Sequence, residues 1–407
     1  MKNRSFIFYV AGQAVSVLGD NVYQIAIMWL IMKITNNKGL AVGGAFSIFS
    51  IGELISGFIS GPIADRINKK RLLIITDFLR AAVLFTLYFL SVENLVNIYV
   101  IVLILLVLSI LSPVFSTTQF TLMPLLVESD ELLKANGIFN SFTTISRILG
   151  PALGGVLVGA FGYNACFLID AISFLVSVAT ISFIRYKPIK IENIETKTVV
   201  SILKSFREGY KYLISSKFLI ALSIYALFLN FIGGALLPLI PIFSNRVHFG
   251  SQGYGYMMSA FSLGFLAFSF LVGLLPKELS ETRLMLYGLT VGSTSIILWG
   301  ASKSLILVLI LFFIFGFSNA LTNLPLNTLL QKMIKIEFLG VVISFTSTIS
   351  QALQPVSMAF SGYLADKVPI STLIIFIGIS SLTISLIGFV IPVFKAQQHN
   401  ENRESLN

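Results

Sequence analysis

The sequence has little of what soluble enzymes use. Only 11% of its 407 residues are charged, and it contains one cysteine and two histidines. Soluble domains carry about 25% charged residues, so this scarcity argues against a soluble globule. One cysteine excludes a disulfide within the chain, and so few thiols and imidazoles leave no Cys/His metal site. We therefore expect neither a metal ion nor any other cofactor.

Apolar residues make up 56% of the chain. A helix needs about 20 mainly apolar residues to cross a hydrocarbon core of about 30 Å. The first window has no small-residue cleavage site after a short core, which indicates a permanent helix rather than a signal peptide. The pattern predicts an all-α membrane protein with twelve transmembrane helices in two six-helix bundles. The windows are 6–32, 41–63, 72–92, 97–122, 137–160, 164–184, 217–244, 253–275, 284–301, 304–325, 340–364 and 370–394.

The net charge of +10 reflects the orientation of the chain in the membrane and does not indicate an acidic partner. With the N-terminus inside, 21 basic residues fall on the cytoplasmic side and five outside, which is the positive-inside bias. We therefore expect no nucleic-acid partner. We expect a bacterial cytoplasmic (inner) membrane protein with both termini in the cytoplasm.

The longest polar interruption, 185–216, divides the twelve windows into six and six. We predict an N-terminal bundle at 1–190, a linker at 191–216, a C-terminal bundle at 217–394 and a polar cytoplasmic tail at 395–407. Apolar residues repeat at helical spacing in the linker, which suits a helix lying on anionic lipid or a solvated linker helix. They are Val199, Leu203, Phe206, Tyr210 and Leu213.

The loop between windows 2 and 3 carries the strongest local signal, the segment 61–71. Its ordered Gly, Asp, Arg and basic residues resemble motif A of the major facilitator superfamily, with Asn68 where a second glycine is usual. An aspartate there can pair with an arginine or cap a helix, which would lock one conformation. Alternatively, a basic loop merely fixes topology. The gate residues implied are Gly61, Asp65, Arg66, Lys70 and Arg71.

A second signal lies in window 5, where Gly150-Pro151 is followed by Gly154-Gly155. It resembles motif C of the antiporters in that superfamily, with Ser146 in place of one glycine. Small residues let helix backbones approach closely, and proline can bend the span. The alternative is ordinary helix packing.

The whole chain resembles the drug:proton antiporter branch of the superfamily, which contains the bacterial macrolide-efflux transporters. Besides the two motifs, the resemblance rests on 19–21, 77–80, 124–127, 135–137 and 168–170. It implies the major facilitator fold, alternating access and proton-driven export of amphiphilic compounds. The resemblance also implies that the partners are a small-molecule substrate, protons and the lipid bilayer. We expect a monomer. The loop at 277–283 lacks a second motif A.

Ionisable residues inside spans are the most informative, because each costs about 2.5–3.5 kcal/mol at a helix centre. Asp20 and Glu53 lie mid-span on stripes of polar or small residues, so we predict that they contact protons or substrate. Asp77 and Arg80 are one turn apart, which favours a structural ion pair. For two others, Arg147 and Asp170, function and structure remain open.

Amide side chains give weaker candidates for a polar cavity. They suit the orientation of a neutral or cationic solute, but they serve equally well as hydrogen bonds between helices. The candidates are Gln13, Gln24, Asn230, Asn319, Asn323 and Gln354.

Three rival functions remain open. The first rival is an exporter, on the same fold, of a cellular metabolite such as a siderophore. A membrane-embedded enzyme would need clustered His, Cys or acidic residues, and the sequence has no histidine within a span. A non-transporting sensor would bind a ligand without flux. We expect a transporter and not an enzyme.

Overall fold

The computed structural model describes residues 4–127, 131–184, 207, 210–272, 280–334, 339–392 and 394, and the regular structure in these ranges is helical. The first half contains α1 (Arg4–Ile34), α2 (Gly39–Arg66), α3 (Lys69–Val92), α4 (Ile98–Leu122), a 3₁₀ turn (Met123–Leu125) and α5 (Leu132–Ser182). The second half contains α6 (Lys217–Leu236), α7 (Leu239–Arg246), α8 (Gly250–Leu271), α9 (Glu281–Ala301), α10 (Leu305–Met333), α11 (Leu339–Gln351), α12 (Gln354–Ala365) and α13 (Ile370–Val390).

In the described part of the chain, 10 helices are long and apolar enough to cross a membrane. One of them, α5, holds two predicted spans, because Gly162 (φ 77°, ψ 170°) breaks its helical path. The predicted span 340–364 is absent from the 10 because it is divided into α11 and α12, each shorter than a full crossing. When α5 is counted as two crossings and α11 with α12 as one, the chain has twelve crossings. This confirms the predicted twelve-helix membrane fold.

Local sequence sets several helix boundaries. The side chain of Asn68 accepts a hydrogen bond from the backbone N–H of Arg71 at the start of α3, and Asn97 caps α4 through Val100 in the same way. Asn36 and Asn37 turn the chain between α1 and α2 with positive φ angles, which asparagine tolerates better than most residues.

The chain divides into two compact units. Unit 1 comprises 1–189, 237–259 and 358–367, and unit 2 comprises 190–236, 260–357 and 368–407. Unit 1 thus includes α7, the beginning of α8 and the end of α12, which lie in the second half of the sequence. The predicted bundle and linker boundaries stay a prediction.

In unit 1, α1 packs along both parts of α5, and small residues permit the approach. A β-carbon added at Gly12 would overlap Thr180, and one at Gly154 would lie about 3.0 Å from Val22 and Ile25. Helix α3 also packs on α5, and α2 packs on α4.

In unit 2, α9 packs between α10 and α13, and α6 packs on α11 and α13. Aromatic pairs fill this core: the rings of Trp299 and Phe312 meet edge to face at 5.0 Å, and those of Tyr225 and Phe394 at 5.3 Å. At the edge of the unit, the ammonium group of Lys332 pairs with the carboxylate of Glu281.

Large apolar side chains are exposed along the helices. Phe120 is 81% exposed, Phe270 75% and Ile306 73%. Exposure of this kind on many helices suits a hydrocarbon solvent rather than water.

Most of the predicted linker lies outside the described residues, as does the tail 395–407. Its end, 210–215, is helical, with Leu213 buried in the core of unit 2 and Lys211 exposed. The hydroxyl of Tyr212 donates a hydrogen bond to the backbone carbonyl of Met333 at 3.1 Å. This part of the predicted amphipathic helix thus packs on protein.

Candidate functional site

A cavity of about 600 Å³ lies within unit 1. Helices α1 to α5 contribute to its wall, and α8 contributes Tyr254. One part of the wall is polar and another is aromatic. The polar and charged lining residues include Gln13, Ser16, Asp20, Asn21, Gln24, Glu53, Arg80, Ser112, Ser116, Gln119, Arg147 and Asp170, and the aromatic ones Tyr23, Phe46, Phe49, Phe115, Phe174 and Tyr254.

Three acidic side chains line this cavity from three helices. Asp20 of α1 is half-buried and Glu53 of α2 is exposed, so both are reachable from the cavity. Asp170 in the second part of α5 is fully buried. The fold thus brings both predicted carboxylates together and adds Asp170, whose role the sequence left open.

Arg80 of α3 lies beside these acids. Its guanidinium is 3.6 Å from the carboxylate of Asp77 on the preceding turn, and both side chains are buried. The guanidinium carbon lies 4.6 Å from the ring centre of Phe115 and 5.4 Å from that of Phe174. Arg80 itself lines the cavity, whereas the purely structural role of the ion pair stays a prediction.

A chain of hydrogen bonds joins α1, α4 and α5 next to the acids. The amide of Gln119 donates to the side-chain oxygen of Gln13 at 2.9 Å, and the amide of Gln13 donates to the hydroxyl of Ser177 at 3.1 Å. The hydroxyl of Tyr9 donates to the backbone carbonyl of Gln119. Amides held in this way, Gln13 buried and Gln119 partly buried, keep fixed orientations toward the cavity.

The motif A segment runs from the end of α2 to the beginning of α3, with only residues 67–68 between the two helices. The ammonium group of Lys70 donates to the carbonyls of Ser182 and Ile184, at 2.7 and 2.9 Å, where α5 ends. Gly61 and Arg71 lie on the helices that flank this connection, with Arg71 exposed. The side chains of Asp65 and Arg66 lie outside the described part of the structure, so the gate stays a prediction.

The motif C residues lie where α5 meets its neighbours. A β-carbon on Gly150 would lie 2.5 Å from that of Asn21, and one on Gly155 would lie 2.5 Å from the carbonyl oxygen of Ser251. The carbonyl of Pro151 faces Gly255 of α8 closely enough to exclude a side chain there. These contacts show close packing at motif C, and its predicted role as a bend in the span stays a prediction.

The remaining candidate amides, Asn230, Asn319, Asn323 and Gln354, belong to unit 2. Asn230 donates to the carbonyl of Ala226, and Asn323 donates to the carbonyl and side chain of Asn319. These bonds lie within single helices. A role in substrate contact stays a prediction for all four.

The contribution of α4 to the cavity was not predicted from the sequence. Ser112, Ser116 and Gln119 lie at spacings of four and three residues on an otherwise apolar helix, and all three line the cavity. That polar stripe is a signal available in the sequence. The aromatic lining residues gave no such signal, since 36 phenylalanines are spread over the chain.

Comparison with known families decides what kind of protein this fold represents. The model of the Major Facilitator Superfamily matches residues 9–358. The chain belongs to the major facilitator superfamily. It is therefore a multi-pass membrane transporter with a small-molecule substrate, and not an enzyme.

Several relatives of this superfamily member are exporters by name. The chain is 24% identical over 373 residues to macrolide efflux protein A of Streptococcus pyogenes, covering 89% of each chain. It is 26% identical over 268 residues to the putative bacilysin exporter BacE of Bacillus subtilis, covering 65% of this chain and 64% of the relative.

Solved transporters share the fold at low sequence identity. A bacterial homologue of the iron transporter ferroportin, in an inward-facing state, superposes with a TM-score of 0.74 at 15% identity, covering 98% of this chain and 99% of the other. The nucleoside transporter NupG superposes with a TM-score of 0.71 at 14% identity, covering 96% of this chain and 99% of the other.

Proposed function

We propose that this superfamily member is a proton-coupled exporter of hydrophobic or amphiphilic small molecules, of the macrolide-like kind. The observation that carries the proposal is the cavity of unit 1, which combines aromatic side chains with carboxylates on helices long and apolar enough to cross a membrane. Its volume of about 600 Å³ lies in the range of sites that enclose drug-sized ligands.

The aromatic side of the cavity supports an amphiphilic substrate. Phe46 and Phe49 of α2 offer apolar rings, and Tyr254 stacks on Trp29 with ring centres 6.0 Å apart. Aromatic rings contribute large contact areas without requiring one fixed hydrogen-bond pattern. Such a wall tolerates different ring systems, as an exporter of varied compounds requires.

The acidic side of the cavity supports coupling to protons. A carboxylate in a poorly hydrated site is costly unless a positive charge compensates it. Asp20 and Glu53 line the cavity and are reachable from it, so each can exchange a proton or meet a cationic group of the substrate. Competition between proton and substrate at one carboxylate would give exchange from one site.

The remaining parts of the proposal concern gate and topology. Asp65 and Arg66 would gate the cytoplasmic side of a monomer in the bacterial inner membrane, with both termini in the cytoplasm. Asp65→Asn keeps the size of the side chain, so we expect normal insertion and ligand binding with reduced transport.

Function is tested by expressing the chain in an efflux-deficient bacterial host and measuring growth inhibition by macrolides, lipophilic cations and neutral amphiphiles. We expect increased tolerance to at least one amphiphilic class and energy-dependent lowering of its accumulation. Unchanged tolerance to every class at verified membrane expression would contradict the proposal. Secretion of a cellular metabolite would instead support the siderophore-type alternative.

A further inference from the structure

Asp170 is held directly against the backbone of α1. A β-carbon added at Gly19 would overlap both the hydroxyl of Ser173 and a carboxylate oxygen of Asp170. Asp20 is the next residue of α1, and it lines the same cavity as Asp170. Gly19 therefore allows the backbone of α1, next to Asp20, to lie directly against the carboxylate of Asp170.

The hydrogen bonds of Asp170 are incomplete. The hydroxyl of Ser173 donates to its Oδ1 at 2.9 Å. Its Oδ2 is buried and has no hydrogen-bond partner among the described residues, and the same holds for the hydroxyl of Tyr23. Both side chains line the cavity and are more than nine-tenths buried. A buried polar atom without a partner costs about 1–3 kcal/mol, so this corner favours a species that supplies a positive charge or a donor.

The charges around this corner do not balance. The guanidinium of Arg80 lies 3.6 Å from the carboxylate of Asp77, and Arg80 also lines the cavity beside Asp20 and Asp170, so several acids share its positive charge. Helix α4 contributes the ring of Phe115 to this wall, and the Cys166 thiol lies one turn before Asp170. Among the described residues of this region, acidic groups outnumber basic ones by two: Asp20, Glu53, Asp77 and Asp170 against Arg80 and Arg147.

We propose that Asp170 is a second proton-exchanging carboxylate, which acts as a pair with Asp20. This inference rests on the proposed function. A proton from water binds one carboxylate oxygen of the pair and gives one neutral carboxyl group. The same proton returns to water when substrate binds, and no other bond forms or breaks. Two neighbouring carboxylates in a poorly hydrated site repel each other, so one shared proton stabilises the empty cavity.

The contacts of Asp170 and Gly19 indicate which variants test the proposal. Asp170→Asn removes the exchangeable proton but keeps an oxygen that accepts from Ser173. Gly19→Ala pushes on Asp170 and Ser173 from α1, whereas a β-carbon at Gly44 meets nothing within 4 Å. Gly44→Ala is therefore the matched control for a glycine substitution in a span.

The first measurement needs no substrate. Dicyclohexylcarbodiimide modifies protonated carboxyl groups in apolar surroundings, and mass spectrometry of the purified full-length protein locates the adduct. We expect an adduct on Asp170 or Asp20 at acidic pH that disappears at alkaline pH. In Asp170→Asn the partner carboxylate no longer repels the charged form of Asp20, so Asp20 no longer keeps the proton. We therefore expect the Asp20 adduct to disappear under conditions that label the wild type. Labelling of Asp20 that is unaffected by Asp170→Asn, with Asp170 unreactive at every pH, would overturn the pair.

The second measurement uses erythromycin in inverted vesicles. We expect Asp170→Asn and Gly19→Ala to lose accumulation driven by a proton gradient while they keep downhill flux, and Gly44→Ala to keep both. Uphill accumulation by Asp170→Asn at the wild-type level would overturn the inference. Absence of any macrolide flux in the wild type would instead count against the proposed substrate, and the carbodiimide result would still decide the role of Asp170.

Discussion

The carboxylate of Asp366, at the end of α12, caps the beginning of α2 by accepting a hydrogen bond from the backbone N–H of Gly39 at 2.7 Å. Its other oxygen accepts from the N–H of Leu40 at 3.0 Å. The first N–H groups of a helix have no partner within the helix, and a carboxylate satisfies them and matches the positive helix end. Arg246 lies 3.6 Å from the same carboxylate. A residue far away in sequence therefore stabilises the start of α2.

Removing this cap should destabilise the protein measurably. We expect Asp366→Ala to cost about 1 kcal/mol, as for other helix caps, and to lower the midpoint of thermal unfolding in detergent. Glu93→Ala, an exposed acid at the end of α3, is the control and should leave the midpoint unchanged. Equal midpoints for Asp366→Ala and wild type would show that the cap contributes nothing.

Lys70 and Arg71 are neighbours in the basic part of motif A but differ in their contacts. The ammonium group of Lys70 reaches the carbonyls that end α5, whereas the side chain of Arg71 is exposed. A cation at a helix C-terminus contributes about 0.3–1 kcal/mol. We expect Lys70→Met to lower the unfolding midpoint and Arg71→Met to leave it unchanged. Equal losses in both variants would mean that general loop charge, not this contact, matters.

Gly150 and Gly137 lie on the same helix in different surroundings. A β-carbon at Gly150 would press on Asn21, whereas one at Gly137 meets nothing within 4 Å. We expect Gly150→Ala to cost about 1–3 kcal/mol through overpacking of α1 against α5, and Gly137→Ala to be neutral or slightly stabilising. Thermal unfolding and transport of the pair check this. A neutral Gly150→Ala would contradict the packing role of motif C.

The proposed topology is tested by labelling from outside. A cysteine placed at Glu195 in a Cys166→Ala background should resist an impermeant thiol reagent in intact cells and react after lysis. We expect this because the linker is rich in lysine and should lie in the cytoplasm. Labelling in intact cells would reverse the inside assignment.

The sequence predicted the fold well because membrane spans depend on local composition. Apolar windows locate α1 to α4 closely, and the gap between windows 5 and 6 falls at Gly162, where α5 bends. The break between α11 and α12 was not predicted, because the window 340–364 stays apolar across it.

The candidate site was predicted only in part. The polar stripe of α1 was visible as helical periodicity, and Asp20, Gln13 and Gln24 do line the cavity. The position of Asp170 against Gly19, the residue before Asp20, depends on the register between α1 and α5, which lie far apart in sequence. Side-chain spacing within one helix cannot fix such a contact. The cap from Asp366 to α2 was hidden for the same reason.

The acids of this cavity are proposed to couple export to protons. The measurement is accumulation of labelled erythromycin in inverted vesicles, with and without an imposed proton gradient, for wild type and the double variant Asp20→Asn/Glu53→Gln at matched membrane expression. We expect wild type to accumulate the compound against its gradient only when protons drive it, and the double variant to reach no more than equilibrium. Uphill accumulation by the double variant at the wild-type level would contradict the coupling role and leave these acids as structural residues.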